Sequence, residues 1–269
     1  MLKRLLATPL LGALLAVFAG AAAAHDLALR PRFDLLVLFG CYVLAVVALE
    51  IRAAHGPVTH ASAFRTGALV LAALIAGPTF VLVRGWPAFW IVAGLALLAL
   101  AFVAGPRLAD TALGGAVTVA VLGPLTSAGA ALAVAGHVSP AALWIGLPIG
   151  LLSDAARRAR DTAAHEAHGP SLAQGVMPHA TPPAPPWFTG DLIAAYGAIP
   201  ALVALGTLPW AAFAAWLTLP WALREAAYAR GGTYPWGEAA RRVRLLHLTF
   251  AILLALGMLI ARAIATRFA

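Results

Sequence analysis

The sequence predicts an all-α, polytopic membrane protein with about nine transmembrane helices in one domain, residues 1–269. Of its residues, 62% are hydrophobic and 10% are charged, whereas soluble globular domains carry roughly 25% charged residues. The mean hydropathy is +0.91. Nine segments reach or approach the roughly 20 apolar residues that a helix needs to cross a bilayer. They lie near 5–24, 33–51, 66–84, 86–104, 113–135, 139–156, 189–207, 209–229 and 245–264.

The first segment fits two interpretations. Lys3 and Arg4 precede an apolar run that is long enough to span, and the second segment begins only about nine residues later. The same run ends in small residues, Ala21 to Ala24, which is also the pattern of a cleaved secretory signal peptide. Residues 1–24 are therefore a retained helix or a signal peptide, and the orientation of the other eight segments is the same in both cases.

Pro and Gly mark short connections between the segments, as at Gly105-Pro106.

The distribution of Lys and Arg predicts how the segments are oriented across the membrane. With the N-terminus inside, thirteen of the 18 Lys and Arg residues lie on the cytoplasmic side, as the positive-inside rule requires. The other five are Arg30, Arg32, Arg84, Arg262 and Arg267. We expect an integral protein of a bacterial inner membrane, with a cytoplasmic N-terminus and an outside C-terminus.

Several function classes are excluded by composition. The net charge of +8 reflects cytoplasmic loops, and no basic-aromatic pattern of a nucleic-acid-binding protein accompanies it. One cysteine, Cys41, cannot form an intramolecular disulfide. The sequence contains no zinc-ligand spacing, glycine-rich phosphate loop or nucleophile elbow.

A burst of charge follows the sixth segment, over Ser153–Gly169. At about 100° per residue, Asp154, Arg158, Asp161 and His165 share one narrow helical stripe. Such a stripe could bind a cation through its carboxylates and imidazole, and phosphate oxygens through its guanidinium. The alternative is a juxtamembrane charge cluster that ends a span and fixes its orientation.

A second charged helix end lies on the same predicted side. The second segment ends in Glu50 and Arg52, so a site would lie at the cytoplasmic mouth between segments two and six. The Pro-rich tract 169–186 follows the sixth segment and favours an extended chain, either as a linker or as a lid over that mouth.

The order of these features resembles the UbiA-type membrane prenyltransferases, which include enzymes of quinone biosynthesis. The likeness is strongest over Ala101–Leu125 and Val138–Ala173. In RARDTAAHEAHGPSLA, Arg160-Asp161, Gly169 and Ser171-Leu172-Ala173 keep the spacing of the family's second aspartate-rich segment. His165 stands where that segment has its next aspartate, and its asparagine is missing. The family's first aspartate-rich segment corresponds here to VVALEIRAAHGP, which keeps a single carboxylate, Glu50, with Arg52 and His55 beside it.

The resemblance implies transfer of a prenyl group from a polyprenyl diphosphate to a small aromatic or quinone-precursor acceptor, within the lipid bilayer and without nucleic acid. It assigns catalysis to Asp161, Asp154 and Glu50, and Mg²⁺ to these three with His165, although imidazole suits softer metals better. Diphosphate binding falls to the nearby arginines, which are Arg52, Arg157, Arg158 and Arg160.

Two other functions stay open at this point. One is an inactive descendant of the family that binds an isoprenoid lipid or a membrane partner, and the other is a transporter or unrelated membrane protein. An enzyme should bring the carboxylates of Glu50 and Asp161 within roughly 8 Å, since each would lie near 2.1 Å from a shared Mg²⁺.

Overall fold

The computed structural model describes residues 16–17, 19–22, 32–53, 60–104, 111–167, 185, 187–231 and 235–268. This part of the chain folds into helices joined by short connections, and it contains no β-strand. The prediction of an all-α protein is confirmed.

The described residues contain nine helical segments, α1 to α9, which overlap the predicted segments in order. Residues 16–17 and 19–22 belong to α1. The next three are α2 (Phe33–Ala53), α3 (His60–Arg84) and α4 (Trp86–Ala104). Helix α5 comprises Ala112–Ala120, a π-helical turn Val121–Leu125 and Thr126–Ala135, and α6 is Pro140–Ala167. Then follow α7 (Phe188–Ala204), α8 (a 3₁₀ segment Trp210–Thr218 continued by Leu219–Arg230) and α9 (Trp236–Phe268).

Most buried apolar residues of the described helices fall into two cores, and a small third cluster, Ala131, Val134 and Ala142, joins α5 to α6. Helices α2 to α5 share one core, in which the rings of Phe39 and Phe80 lie 5.1 Å apart. Helices α6 to α9 share the other, where Tyr196 of α7 packs edge-on against Phe250 of α9 at 5.1 Å. Both cores are built from aliphatic and aromatic side chains that pack closely against one another.

Helix α5 connects the two cores, because it packs against α2 on one side and α6 on the other. Its contact with α6 is made by glycines: a methyl group on Gly123 would overlap the backbone of Gly146, and one on Gly150 would overlap the Val119 carbonyl. Such small residues let two helix backbones approach closely. Pro124 lies in the π turn, where its missing N–H interrupts regular α-helical bonding.

Helix α6 is longer than the predicted segment, which ends at residue 156. It continues through the charged stretch to Ala167. Alanines with high helix propensity and Asp–Arg pairs at i,i+3 and i,i+4 support this extension. The charged residues therefore lie on a rigid helix end.

Two described helical stretches are long and apolar enough to cross a membrane, as judged by length and composition. They are Leu113–Ala135 and Trp236–Ala265. The first is mostly buried within the protein, whereas the most apolar window of the second is only 33% buried. Apolar composition of this kind indicates membrane association.

Candidate functional site

A buried ion-pair network occupies the end of α6. Asp154 is 1% exposed, and both of its carboxylate oxygens accept hydrogen bonds from arginines. Arg157 donates to Oδ1 from Nε and Nη2 at 2.9 and 2.7 Å, and Arg158 donates to Oδ2 from Nε at 2.6 Å. A buried charge is tolerated when it is paired and hydrogen-bonded in this way.

Asp161 lies at the solvent side of the same network. Its side chain is 34% exposed, and it accepts from Arg160 Nε at 3.1 Å and from Arg157 Nη1 at 3.5 Å. Asp154, Arg157, Arg158, Arg160 and Asp161, which the sequence analysis named as site residues, thus lie together at the end of α6, and their roles stay a prediction. What brings them together is a set of carboxylate–guanidinium pairs.

Helix α7 adds a carboxylate that the sequence analysis did not single out. The Oδ2 atom of Asp191 is buried and lies 3.5 Å from Arg158 Nε, without hydrogen-bond geometry to any described donor. The carboxylates of Asp191 and Asp154 are close enough to repel each other. Arg158 therefore lies beside two acidic groups from two helices.

On the same side of the network, a glycine of α5 lies directly against the charged side chains. A methyl group on Gly115 would overlap the guanidinium of Arg158 and approach Asp154 Oδ2 to 3.0 Å. The first turn of α5 is fixed by the hydroxyl of Thr111, which accepts from the Gly114 amide at 3.0 Å, as N-cap residues do. Gly115 therefore provides the space that Arg158 occupies.

The opposite side of the α6 end faces α9. Ser153 Oγ lies 3.5 Å from His247 Nε2, and both side chains are buried. Closer to the helix end, the guanidinium of Arg160 lies near enough to that of Arg244 on α9 to repel it. Arg244 itself donates to the Ala240 carbonyl of its own helix at 2.8 Å.

A second ion pair joins α8 to α9. Glu225 is 1% exposed, and its Oε1 lies 3.3 Å from Arg242 Nε and accepts from Trp221 Nε1 at 3.2 Å. Glu238 approaches the same arginine at 3.6 Å. This pair fixes the start of α9 against α8.

Part of the predicted site lies outside the described residues. The side chains of Glu50, Arg52 and His165 are among these, and so is nearly all of the tract proposed as a lid or linker, 169–186. The backbone of α2 reaches Ala53, and its described part packs against α3, α4 and α5. The expected meeting of Glu50 with Asp161 therefore stays a prediction.

Potential metal ligands are paired with arginines in the described part of the site. Among the residues that the structure describes, no group of three or more His, Cys, Asp or Glu side chains is placed to hold a metal ion. Asp154 in particular has both oxygens bonded to guanidinium groups. The described carboxylates alone therefore do not fit a Mg²⁺ centre, which would need several free oxygen ligands.

An apolar groove runs between α7 and α8. Its walls include Leu192 and Tyr196 of α7 and Trp216, Leu219 and Leu223 of α8. The tyrosine hydroxyl is bonded to Thr218 at 2.5 Å. The groove therefore presents an apolar surface suited to a hydrocarbon chain.

Two sequence signals could have found the missed residues. Asp191 is the only charged residue in the seventh predicted segment, and Glu225 is the only acidic residue in the eighth. Ionisable residues in apolar spans are rare and often functional. Gly115 and Arg244 carry no such signal, since their roles depend on which helices become neighbours.

No protein-family model and no characterised protein matches this sequence.

Proposed function

We propose that this chain is a nine-span membrane prenyltransferase of the UbiA type, which transfers a prenyl group from a polyprenyl diphosphate to a small aromatic or quinone-precursor acceptor. The observation that carries the proposal is the charge network at the end of α6. Acidic and guanidinium side chains are concentrated there, at the end of a helix whose first part is apolar.

The exposed surface of α9 supports the membrane part of the proposal. Five large apolar residues face outward along this helix, namely Leu245, Ile252, Leu256, Ile260 and Ile264. At 1.5 Å per residue they extend over about 28 Å, close to the roughly 30 Å thickness of the hydrocarbon core. Exposure of these apolar side chains is favourable in lipid and unfavourable in water.

The chemistry of the α6 network supports the donor. Departure of diphosphate places negative charge on its oxygens, and arginines aimed at that charge stabilise it. Arg157, Arg158 and Arg160 supply three guanidinium groups within one helical turn, and Arg160, with a side chain 24% exposed against 5% and 7% for the other two, is the most accessible of them. The apolar groove between α7 and α8 offers a surface for the isoprenoid tail, each buried CH₂ contributing about 0.8 kcal/mol.

The proposal includes Mg²⁺ only with Glu50 as one of its ligands. Because Asp154 is bonded to two arginines, the proposed Mg²⁺ site consists of Asp161 and Glu50, with oxygens of the diphosphate and water completing the coordination. Such a site is compatible with the habit of Mg²⁺ of using one or two carboxylates and substrate phosphates. His165 is at most a secondary ligand.

A second candidate function is favoured by one specific observation. The aspartates of the α6 network are paired with arginines of the same helix, which is the state expected after a metal site has been lost. On this alternative the protein binds an isoprenoid lipid or a membrane partner without turning it over.

Turnover separates the two candidates. Purified full-length protein in nanodiscs is incubated with radiolabelled geranyl, farnesyl and longer prenyl diphosphates, Mg²⁺ and a panel of phenolic acceptors, and diphosphate release is measured. We expect release that depends on Mg²⁺ and falls by about 10²-fold or more in Asp161→Ala, because the charge developing on the leaving group loses its metal.

Equal release by the wild type and Asp161→Ala would reject the transferase. Binding of the same diphosphates is then measured directly, and saturable binding without release supports the second candidate. Asp34→Ala is a suitable control variant, because that carboxylate is exposed at the start of α2 and pairs with Arg32 nearby.

A further inference from the structure

Helix α9 contributes an arginine to the end of α6 that the function proposed above does not use. At about 100° per residue, Ser153, Arg157 and Arg160 fall within about 60° of one side of α6. On α9, Ala240, Arg244 and His247 likewise fall within about 60°. The contact between Ser153 and His247 at 3.5 Å shows that these two sides face each other.

The two helices run in opposite directions, because the start of α7 lies beside both Arg158 near the end of α6 and Trp236 at the start of α9. From Ser153 the chain reaches Arg160 seven residues later on α6, and from His247 it reaches Arg244 three residues earlier on α9. Both steps lead to the same end of the helix pair, where the two guanidinium groups repel each other. The junction is thus lined by Arg160 and Arg244 from different helices, about one to two turns beyond the buried Ser153–His247 pair.

Charge is unequally compensated at this junction. Arg160 is paired with Asp161, its neighbour in sequence. Among the described residues Arg244 has no carboxylate partner and donates to a carbonyl of its own helix. The side chain is only partly exposed, so water screens its repulsion from Arg160 incompletely. An anion between the two guanidinium groups would remove this repulsion.

We propose that Arg160 and Arg244 bind a phosphate group at the junction of α6 and α9. Guanidinium groups from two directions match the oxygens of a phosphate or diphosphate and bind them by charge-assisted hydrogen bonds. The site is a further diphosphate-binding position if the proposed prenyl donor is correct, and in that respect it rests on the proposed function. The phosphate could alternatively belong to an anionic phospholipid, which has the same chemistry.

Binding to matched variants tests the proposal. Full-length protein in phosphatidylcholine nanodiscs is titrated with farnesyl diphosphate, inorganic pyrophosphate and farnesol. We expect Arg244→Gln to weaken binding of the two diphosphates by about tenfold or more, the usual effect of losing a charge-assisted hydrogen bond. Arg241→Gln, an exposed arginine three residues away on the same helix, should change the same affinities less than twofold.

Stability measurements separate a binding role from a structural one. Because Arg244 is repelled by Arg160, Arg244→Gln should leave the midpoint of thermal unfolding of the ligand-free protein unchanged or higher. It should abolish the additional stabilisation by pyrophosphate that binding to the folded state produces in the wild type. Arg244→Lys keeps the charge, and it should retain part of the affinity even if the glutamine variant does not fold.

A second arm identifies the source of the phosphate. Nanodiscs with and without phosphatidylglycerol are compared by native mass spectrometry for retained lipid. Loss of retained phosphatidylglycerol in Arg244→Gln, with unchanged pyrophosphate affinity, would assign the site to a lipid headgroup.

Three outcomes would overturn the proposal: wild-type protein that binds none of these probes, Arg244→Gln that binds all of them as well as the wild type, or Arg241→Gln that is equally impaired. Failure of the transferase is distinguishable, since absent diphosphate release combined with an Arg244-dependent affinity for pyrophosphate rejects only the proposed reaction.

Discussion

The two sides of the α6 end differ in how their charges are satisfied. On the side facing α5 and α7, Asp154 accepts from two arginines, and Asp191 adds a second carboxylate beside Arg158. On the side facing α9, the charges of Arg160 and Arg244 repel each other, and of these two only Arg160 has a carboxylate partner, Asp161, among the described residues. The first side is closed by its own ion pairs, whereas the second carries an excess of positive charge.

This difference shows that one charged helix can serve two purposes. Buried ion pairs that satisfy each other hold helices in place, and removing one partner is strongly destabilising. Uncompensated like charges destabilise the ligand-free protein, and a bound anion relieves their repulsion. The α5/α7 side is therefore expected to govern stability, and the α9 side is expected to govern binding.

The largest expected effect comes from breaking the compensated side. Asp154→Asn leaves Arg157 and Arg158 buried without their main acceptor, and we expect a loss of about 3 kcal/mol or more in the free energy of unfolding. The loss is measured by denaturant unfolding in detergent micelles. Asp161→Asn is the matched control, and its partial exposure limits the expected loss to about 1 kcal/mol or less. Similar losses for the two variants would contradict the division between the sides.

A smaller effect is expected from filling the space that Arg158 uses. Gly115→Ala places a methyl group on its guanidinium, and such overpacking typically destabilises by about 1–3 kcal/mol. Gly190→Ala is the control, because nothing lies within 4 Å of the position that its methyl group would take and alanine favours a helix. The thermal unfolding midpoint of Gly115→Ala should fall while that of Gly190→Ala holds or rises. The reverse order would mean that Arg158 does not occupy this space.

The smallest expected effect is the coupling between the two arginines of the α9 side. In a double-mutant cycle of Arg160→Gln and Arg244→Gln, we expect an unfavourable coupling of about 0.5 kcal/mol in ligand-free protein, since the effects of removing two interacting charges are not additive. Saturating pyrophosphate should reduce this coupling or reverse its sign. Coupling that is favourable without pyrophosphate would show that the arginines do not repel each other.

Much of the fold could be predicted from the apolar segments and from the Gly and Pro residues that separate them. The described helices overlap the predicted apolar segments in order, because long apolar runs separated by Gly and Pro favour helices, but α3, α6 and α9 extend beyond the predicted bounds. The exceptions depend on local detail: the 3₁₀ segment at the start of α8 and the π turn around Pro124 have no counterpart in a hydropathy pattern.

The site was predictable only within a single helix. Residues of one helix share a face by simple periodicity, so the grouping of Asp154, Arg158 and Asp161 could be read from spacing. The partners Asp191, Gly115 and Arg244 come from other helices. Their positions follow from how helices pack, which a single sequence does not encode as spacing.

The glycine crossing between α5 and α6 has a consequence for motion. With Gly123 against Gly146 and Gly150 lying against α5, the two backbones approach closely, and tightly packed surfaces of this kind do not slide gradually. We expect α5 and α6 to move together as one rigid unit. A conformational change that admits a substrate would then move α7, α8 and α9 relative to α5 and α6. Spin labels on α6 and α9 should therefore give wider distance distributions than spin labels on α5 and α6.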